Sequence, residues 1–280
     1  MSQLRSLRVT TFPKDEDSES FISQIVHYDR AGNEIARYEY HGPDEFESKV
    51  ETRFNENNQM VEVTTYMDEH EIVERKVYVR NKDGQIEQVN IEFTDGSVSV
   101  QTIERDEENN NENWIERDED DELESREFLK FNAEEKVILR ELYDFNDKLT
   151  EAFEYEYNPD GEMSTLRHLD ERRKLILETE FKYAESGLLL LRASRNRKGE
   201  LSDYLKIEYD DNGRPVKQSF SGKYTFLFEY DENGNPIVEE EYIGDSLLDN
   251  RTTYEYDANN RVVLEEQVKF SKRYEYEYYD

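Results

Sequence analysis

Residues 254–263 read YEYDANNRVV, a phrase in which aromatic and charged residues alternate before an Asp- and Asn-rich turn. Alternation with a period of two is typical of a β-strand that has one buried face and one solvated face. Asp, Asn and Gly accept the local hydrogen bonds and the left-handed dihedral angles that tight turns need. The phrase therefore predicts a strand, a turn and the start of a second strand.

The same phrase returns along the chain with a period of about 26 residues. Degenerate copies stand in phase at Arg80-Asn81 and Arg105-Asp106. Two steps near the end of the chain, from 210 to 231 and from 257 to 280, are shorter than the period. The clear copies are Tyr28-Asp29, Phe54-Asn55, Phe131-Asn132, Tyr157-Asn158, Tyr183-Ala184, Tyr209-Asp210, Tyr230-Asp231, Tyr256-Asp257 and Tyr279-Asp280. Such a period indicates an array of identical supersecondary units, none of which buries its apolar face alone.

A second and less uniform turn is expected halfway through each period, for example at Asp95-Gly96 and Ser221-Gly222. Each unit is then one hairpin, and the chain is predicted to be all-β, a repetitive antiparallel β-hairpin array of about 22 strands. We expect one repeat domain over residues 1–280. It would begin with a cap strand at about 3–12 and end with an edge strand at about 273–279.

The composition predicts a thin structure. Hydrophobic residues make up 35% of the chain and the mean hydropathy is −1.06, so the chain cannot fill a thick globular core. The 20 Tyr and 14 Phe nevertheless separate it from a disordered chain. Because twist disfavours a flat sheet of 22 strands, we expect a large sheet that curls or spirals.

Three phrases, Tyr28–Ile35, Tyr209–Val216 and Tyr230–Ile237, resemble the YD repeat of RHS-type proteins: Tyr-Asp, two residues, Gly, then Arg or Asn and an apolar residue. In that family the repeats form long β-sheets that spiral into hollow shells around a toxin segment. The resemblance implies a bacterial repeat protein. This chain is short and has no recognisable toxin segment, so the repeat geometry carries over better than the encapsulating role.

The net charge of −33, from 69 acidic and 36 basic residues, excludes a nucleic-acid binder, because the phosphate backbone requires positive contacts. The negative charge is consistent with a solvated face that blocks edge pairing, or with a surface that binds a basic partner. The chain has no Cys, which excludes disulfides and thiolate chemistry. Neither an apolar signal core nor a membrane-spanning run is recognisable, so a cytoplasmic location without membrane contact is expected.

Three groups of residues are candidates for binding a protein partner. The first is Trp114 with the acidic run Asp118, Glu119, Asp120 and Asp121, which would anchor a cationic partner unless Trp114 occupies an ordinary inward strand position. The second is a basic cluster at two halfway turns, which would contact an acidic partner or a second copy unless it only balances neighbouring carboxylates. The cluster comprises Arg172, Arg173, Arg197 and Lys198.

The third group is the stripe Tyr274, Tyr276 and Tyr278 on the expected edge strand. A long, regular edge strand is a template for pairing, so it would either dock inside or pair with another chain. Self-association through this edge is therefore one prediction.

No pattern predicts catalysis, a metal site or a cofactor. The four histidines share no metal-binding spacing, and Asp231–Asn235 does not match an EF-hand loop. Nucleophile, phosphate-loop and dinucleotide motifs are missing from the sequence.

We therefore expect a non-enzymatic, protein-binding repeat scaffold. By analogy with RHS-type proteins, it would be an acidic immunity or chaperone-like protein that captures a basic toxin or cargo. The alternatives are a structural subunit of a homo-oligomer or filament, and a carbohydrate-binding surface protein that uses its Tyr ladders.

Overall fold

The computed structural model describes residues 3–244 and 246–280, and this part of the chain contains 22 β-strands and no helix. All the strand pairs whose register is resolved are antiparallel, so the predicted all-β hairpin array and its strand number are confirmed. The strands are β1 (Leu4–Pro13), β2 (Phe21–Tyr28), β3 (Glu34–Gly42), β4 (Glu45–Phe54), β5 (Met60–Tyr66), β6 (Ile72–Arg80), β7 (Ile86–Phe93), β8 (Val98–Asp106), β9 (Asn111–Arg117), β10 (Leu123–Phe131), β11 (Val137–Tyr143), β12 (Leu149–Tyr157), β13 (Met163–Leu169), β14 (Leu175–Tyr183), β15 (Leu189–Asn196), β16 (Leu201–Tyr209), β17 (Pro215–Phe220), β18 (Tyr224–Tyr230), β19 (Pro236–Ile243), β20 (Leu247–Tyr256), β21 (Val262–Glu266) and β22 (Phe270–Tyr278).

The turn between β16 and β17 shows why the repeated phrase forms a hairpin. The Asp210 Oδ1 atom accepts hydrogen bonds from the backbone N–H groups of Asn212 and Arg214, both at 2.9 Å. The Asp210 N–H donates to the Arg214 carbonyl, and the Gly213 N–H donates to the Asp210 carbonyl. Gly213 has φ 77°, a left-handed angle that glycine adopts without steric cost. One Asp and one Gly thus satisfy the backbone of the whole turn.

The same Asx turn recurs at both ends of the hairpins. In each case, one side-chain oxygen accepts from the N–H groups two and four residues on. The halfway turns between β9 and β16 follow this pattern too, so there they are more uniform than the sequence suggests. The Asp and Asn residues that make it are Asp29, Asn55, Asn81, Asp118, Asn132, Asp144, Asn158, Asp170, Asn196, Asp210, Asp231 and Asp257.

In several copies, the Tyr of the repeated phrase ties its hairpin to the one before it. The Tyr157, Tyr183 and Tyr209 hydroxyls donate to the backbone carbonyl 20 residues earlier, at 2.7, 2.9 and 2.8 Å. Arg80 occupies the same position in the degenerate copy Arg80-Asn81, and its Nη2 donates to the Met60 carbonyl at 3.1 Å. Arginine thus replaces tyrosine here without losing the bond, whereas Phe54 and Phe131 stand at the same position in two other copies and have no donor.

All 22 strands belong to one sheet, and its first and last strands pair with each other. β1 pairs with β22 from Leu4↔Tyr278 to Pro13↔Phe270, and β1 also pairs with β2. The sheet is therefore closed, which corrects the prediction of a large sheet that curls or spirals, and the strand expected as an edge at 273–279 is paired on both of its sides. Closure is favourable because it supplies partners for the N–H and C=O groups that an edge strand leaves unpaired.

Buried positions in the described residues are few and are occupied mostly by Val, Ala, Ser and Thr. Ala152 and Val26 are the most completely shielded, and buried Thr and Ser, such as Thr179 and Ser194, lie among the apolar residues. No aromatic side chain in this part of the chain is buried; each is half-buried or exposed. Such thin packing is what 35% hydrophobic residues allow.

The chain divides into two compact units, whereas the sequence predicts one domain over residues 1–280. The first unit comprises Met1–Val100, Tyr230–Val238 and Asn250–Asp280, and the second comprises Gln101–Glu229 and Glu239–Asp249. The predicted cap strand at about 3–12 corresponds to β1, which is paired on both of its sides.

Candidate functional site

Each unit has two kinds of strand end. The turns that follow even-numbered strands carry the repeated phrase, and we call their side of each unit the Tyr-Asx end. The turns that follow odd-numbered strands form the opposite side, which we call the halfway end. Antiparallel pairing keeps the two sets of turns apart within each unit.

The exposed apolar side chains gather at the halfway ends. Of the fourteen large apolar residues that are exposed in the described part of the chain, only Leu190 lies at a Tyr-Asx end. In the first unit the halfway end presents Ile22, Met67, Ile72, Val73, Phe93 and Val268. In the second unit it presents Phe145, Ile176, Leu201, Tyr224, Ile243, Leu247 and Leu248. Scattered exposed apolar residues are normal, but such a one-sided distribution marks a surface that meets something else.

The halfway end of the first unit is also strongly acidic. Its turns carry nine exposed carboxylates against two lysines, Lys14 and Lys269. Lys14 is exposed, and its Nζ donates to the Gln267 carbonyl at 2.7 Å. The carboxylates are Asp15, Glu16, Asp17, Glu19, Asp44, Asp68, Glu69, Glu71 and Asp95. Apolar and acidic groups therefore share one surface.

Two clefts open at this end of the first unit, and Phe21, Gly42 and Pro43 line both. The first cleft has a volume of about 500 Å³ and is further lined by Ser20, Ile22, Ile25, Tyr40, Asp44, Phe46 and Glu69. The second has about 760 Å³ and includes the acidic loop at 15–19 together with Lys269, Phe270 and Lys272. Both volumes lie in the range of ligand-binding pockets.

Three aromatic rings and two carboxylates shape the first cleft. Tyr40 on β3 and Phe46 on β4 meet edge to face, with ring centroids 5.8 Å apart at 90°. Burial, followed by the nearby Glu69 carboxylate, raises the pKa of the Tyr40 hydroxyl, which therefore stays protonated. Asp44 has φ 58° in the tight β3–β4 turn, a conformation that Asp and Asn adopt more readily than most residues.

The predicted basic cluster lies at the halfway end of the second unit. Arg172, Arg197 and Lys198 are exposed, and the Arg172 Nε lies 3.6 Å from Glu171. Arg173 is different, because its guanidinium pairs with the buried carboxylate of Glu141, which also accepts from the Tyr143 hydroxyl at 2.6 Å. Local charge balance therefore accounts for Arg173.

The predicted acidic site is divided between a strand and a turn. Trp114 is half-buried on β9, opposite Glu127, and its Nε1–H donates to Glu112 at 3.0 Å. This is the ordinary strand position that the sequence left open. Asp118 holds the following turn through its side chain, whereas Glu119, Asp120 and Asp121 are exposed.

The tyrosine stripe on β22 is engaged internally. The Tyr274 hydroxyl donates to Glu265 at 2.7 Å, and the Tyr276 hydroxyl donates to the Val262 carbonyl at 2.8 Å. Burial and the Glu265 carboxylate raise the pKa of Tyr274. The Tyr278 ring lies under the Arg261 guanidinium at 4.9 Å. With β22 paired on both sides, docking inside is the observed outcome.

Residues 3–244 and 246–280 hold no group of three or more His, Asp or Glu side chains placed to bind a metal ion. The same residues form no helix with the length and apolar character needed to cross a membrane.

Sequence reasoning did not identify the apolar halfway ends or the two clefts. A signal was present, since Met67 and Phe145 interrupt polar turn segments. No local sequence pattern could predict the clefts, because their walls bring together residues from β1, β2, β3, β4 and β22, which lie far apart in the sequence.

No protein-family model matches this chain, and no curated protein matches it at a significant level. Two crystal structures of TcdB2-TccC3 align with 91% of the chain, at 14% and 13% identity and TM-scores of 0.36 and 0.34, and the chain spans 15% and 18% of their length. A porin-like protein from Bacteroides uniformis aligns over 99% of both chains, at 6% identity and a TM-score of 0.37. These likenesses are too weak to support an argument about function.

Proposed function

We propose that this chain is a non-enzymatic protein-binding scaffold that captures a basic segment of another protein at the halfway end of its first unit. The observation that carries the proposal is the coincidence of exposed apolar side chains and nine carboxylates on that surface. Apolar contact supplies the affinity, and the carboxylates select for cationic partners and speed their approach. The segment that fits alternates apolar residues with Lys or Arg.

The YD-repeat resemblance suggests a concrete form of this activity. The protein would be an immunity or chaperone-like factor that masks a basic toxin or cargo. The excess of carboxylates over lysines at the first unit's halfway end supports a basic partner. Because β22 is paired on both sides, we expect the partner to bind at this surface and not by adding a strand to β22.

The test uses two labelled octapeptides, one of alternating leucine and arginine and one of alternating leucine and citrulline, measured by fluorescence anisotropy. Citrulline keeps the shape of arginine without its charge. We expect the arginine peptide to bind about tenfold more tightly and to weaken as salt rises from low to physiological concentration.

The test must also locate the binding site, because a chain of net charge −33 attracts any cationic peptide. The double variant Met67→Ser/Val268→Ser removes two exposed apolar groups from the first unit's halfway end. Leu190→Ser removes one from a Tyr-Asx end. We expect the double variant alone to weaken binding several-fold. Equal affinity for the two peptides, or equal loss in the double variant and Leu190→Ser, would refute the proposal.

A second candidate function is self-assembly. Three consecutive halfway turns of the second unit, at 170–174, 196–200 and 221–223, carry six basic residues against three acidic ones. This surface is opposite in charge to the first unit's halfway end, so two copies would be complementary. Sedimentation of the free protein tests this candidate: salt-sensitive oligomers that disappear on charge reversal of Arg172, Arg197 and Lys198 would favour it, and a monomer at all concentrations would reject it.

A further inference from the structure

We propose that the first cleft is the specific pocket of this scaffold and that it holds one arginine or lysine side chain of the partner. The inference rests on the proposed function and names the pocket in which the partner would bind. Cationic side chains are attracted to the faces of aromatic rings and to carboxylates, and this cleft offers both.

The rings supply the first part of the recognition. Phe21, Tyr40 and Phe46 come from three consecutive strands and line one cavity of about 500 Å³. The edge-to-face contact of Tyr40 with Phe46 holds both rings at a fixed angle. A rigid aromatic wall binds the methylene stem of lysine or arginine at a low entropic cost, because the pocket does not have to be organised on binding.

The carboxylates supply the second part. Asp44 and Glu69 come from neighbouring halfway turns and line the same cavity. Neither side chain forms an ion pair with a described basic residue, unlike Glu34, Glu51 and Glu62 on the strands. Both carboxylates are therefore available to a guanidinium or ammonium group that enters the cleft.

Gly42 contributes backbone alone to the wall of the cleft. This residue is buried, lines both clefts and lies beside Pro43. The atoms nearest to a Cβ atom there would be those of the flexible Glu45 side chain, at 3.0 Å. A side chain at this position would therefore require Glu45 to move.

The test compares two double variants with the same change of charge. Asp44→Asn/Glu69→Gln removes the two cleft carboxylates, and Asn keeps the left-handed turn at residue 44. Glu56→Gln/Asp83→Asn removes two exposed carboxylates from the Tyr-Asx end of the same unit. We expect the cleft variant to weaken binding of the leucine–arginine octapeptide about tenfold and the control by less than about twofold.

The Phe46→Ala variant tests the role of the aromatic rings. Its thermal unfolding midpoint is recorded to show that it is folded. The substitution should reduce affinity for the leucine–arginine peptide more than for the leucine–citrulline peptide, because both lose contact with the methylene stem and only arginine also loses the attraction between its cation and the ring. If the arginine peptide binds better than the citrulline peptide but both double variants lose affinity equally, the pocket is wrong and the scaffold proposal stands. If the two peptides bind alike in the unmodified protein, both proposals fall.

Discussion

At the Tyr-Asx end of several hairpins, the tyrosine before the turn bonds to the preceding hairpin, whereas Tyr224 at a halfway end lies at the surface. Tyr183 donates to the Met163 carbonyl, which belongs to the preceding hairpin. Tyr224, at the halfway end of the same unit, is 45% exposed and starts its strand at the surface. The comparison shows that a tyrosine at the Tyr-Asx end can link neighbouring hairpins, whereas Tyr224 at the halfway end presents its ring to solvent.

The largest effect that would test this difference is the loss of a Tyr-Asx tyrosine. Tyr183→Ala should lower the free energy of unfolding by about 2 kcal/mol, because it removes a half-buried ring and the bond to Met163. Tyr183→Phe should cost about 1 kcal/mol, the value of a neutral hydrogen bond. Chemical denaturation measures both.

Tyr224→Ala is the matched control at the halfway end, and surface substitutions of this kind usually change stability by less than about 0.5 kcal/mol. If Tyr224→Ala proved as costly as Tyr183→Ala, the two ends would share the structural task and the comparison would fail.

A smaller effect is expected from repairing the one Tyr-Asx phrase that lacks its Asp or Asn. Ala184 keeps the backbone bonds of the turn, from its N–H to the Leu188 carbonyl and from the Gly187 N–H to its own carbonyl. It has no side-chain oxygen for the N–H groups of residues 186 and 188. Ala184→Asn should therefore raise the free energy of unfolding by about 0.5–1 kcal/mol, read from the denaturation midpoint.

The reverse change, Asn196→Ala, removes the same side-chain bonds from a halfway turn of the same unit. A similar loss there would mean that the Asx turn has equal weight at both ends, leaving the tyrosine as the difference between them. No response to either change would show that the backbone bonds alone hold these turns.

The smallest effect concerns acid stability. The Arg261 side chain, followed by the N–H groups of Arg261 and Asn259, lowers the pKa of Asp257 to about 2. Because an unfolded Asp titrates near about 3.9, this carboxylate stabilises the fold above that pH, and its contribution is lost as the pH falls towards 2. In Asp257→Asn the turn keeps its acceptor but loses this titration, so thermal midpoints should fall less steeply between pH 4 and 2.

Asp170 is the matched position at a halfway end, where the Lys174 backbone N–H is the main cause of its lowered pKa. The Asp170→Asn variant should differ less from the unmodified protein than Asp257→Asn does. Acid curves that run parallel in all three proteins would show that turn carboxylates do not contribute to acid sensitivity.

Much of the architecture was predictable, because its causes are local. Alternation sets the strands, and an Asx residue with a left-handed residue three places later sets most of the turns at the Tyr-Asx ends, even where that residue is Glu135, and some halfway turns, as at Arg173. The role of Arg80 was not predictable, since its bond to Met60 joins different hairpins. The candidate binding residues predicted from the sequence fall into two groups. Trp114, Arg173 and Tyr274 are held by internal contacts, whereas Arg197 and Lys198 lie at the surface.

By itself, the 26-residue period determined the hairpin array, its antiparallel order and its number of strands, because alternation and turn chemistry act within one hairpin. Only the tertiary structure decided that the sheet closes. The pairing of Val9 with Tyr274 joins residues from opposite ends of the chain, and no local pattern specifies such a contact. The cleft around Phe21 has the same origin, since it exists only where strands from separate repeats meet.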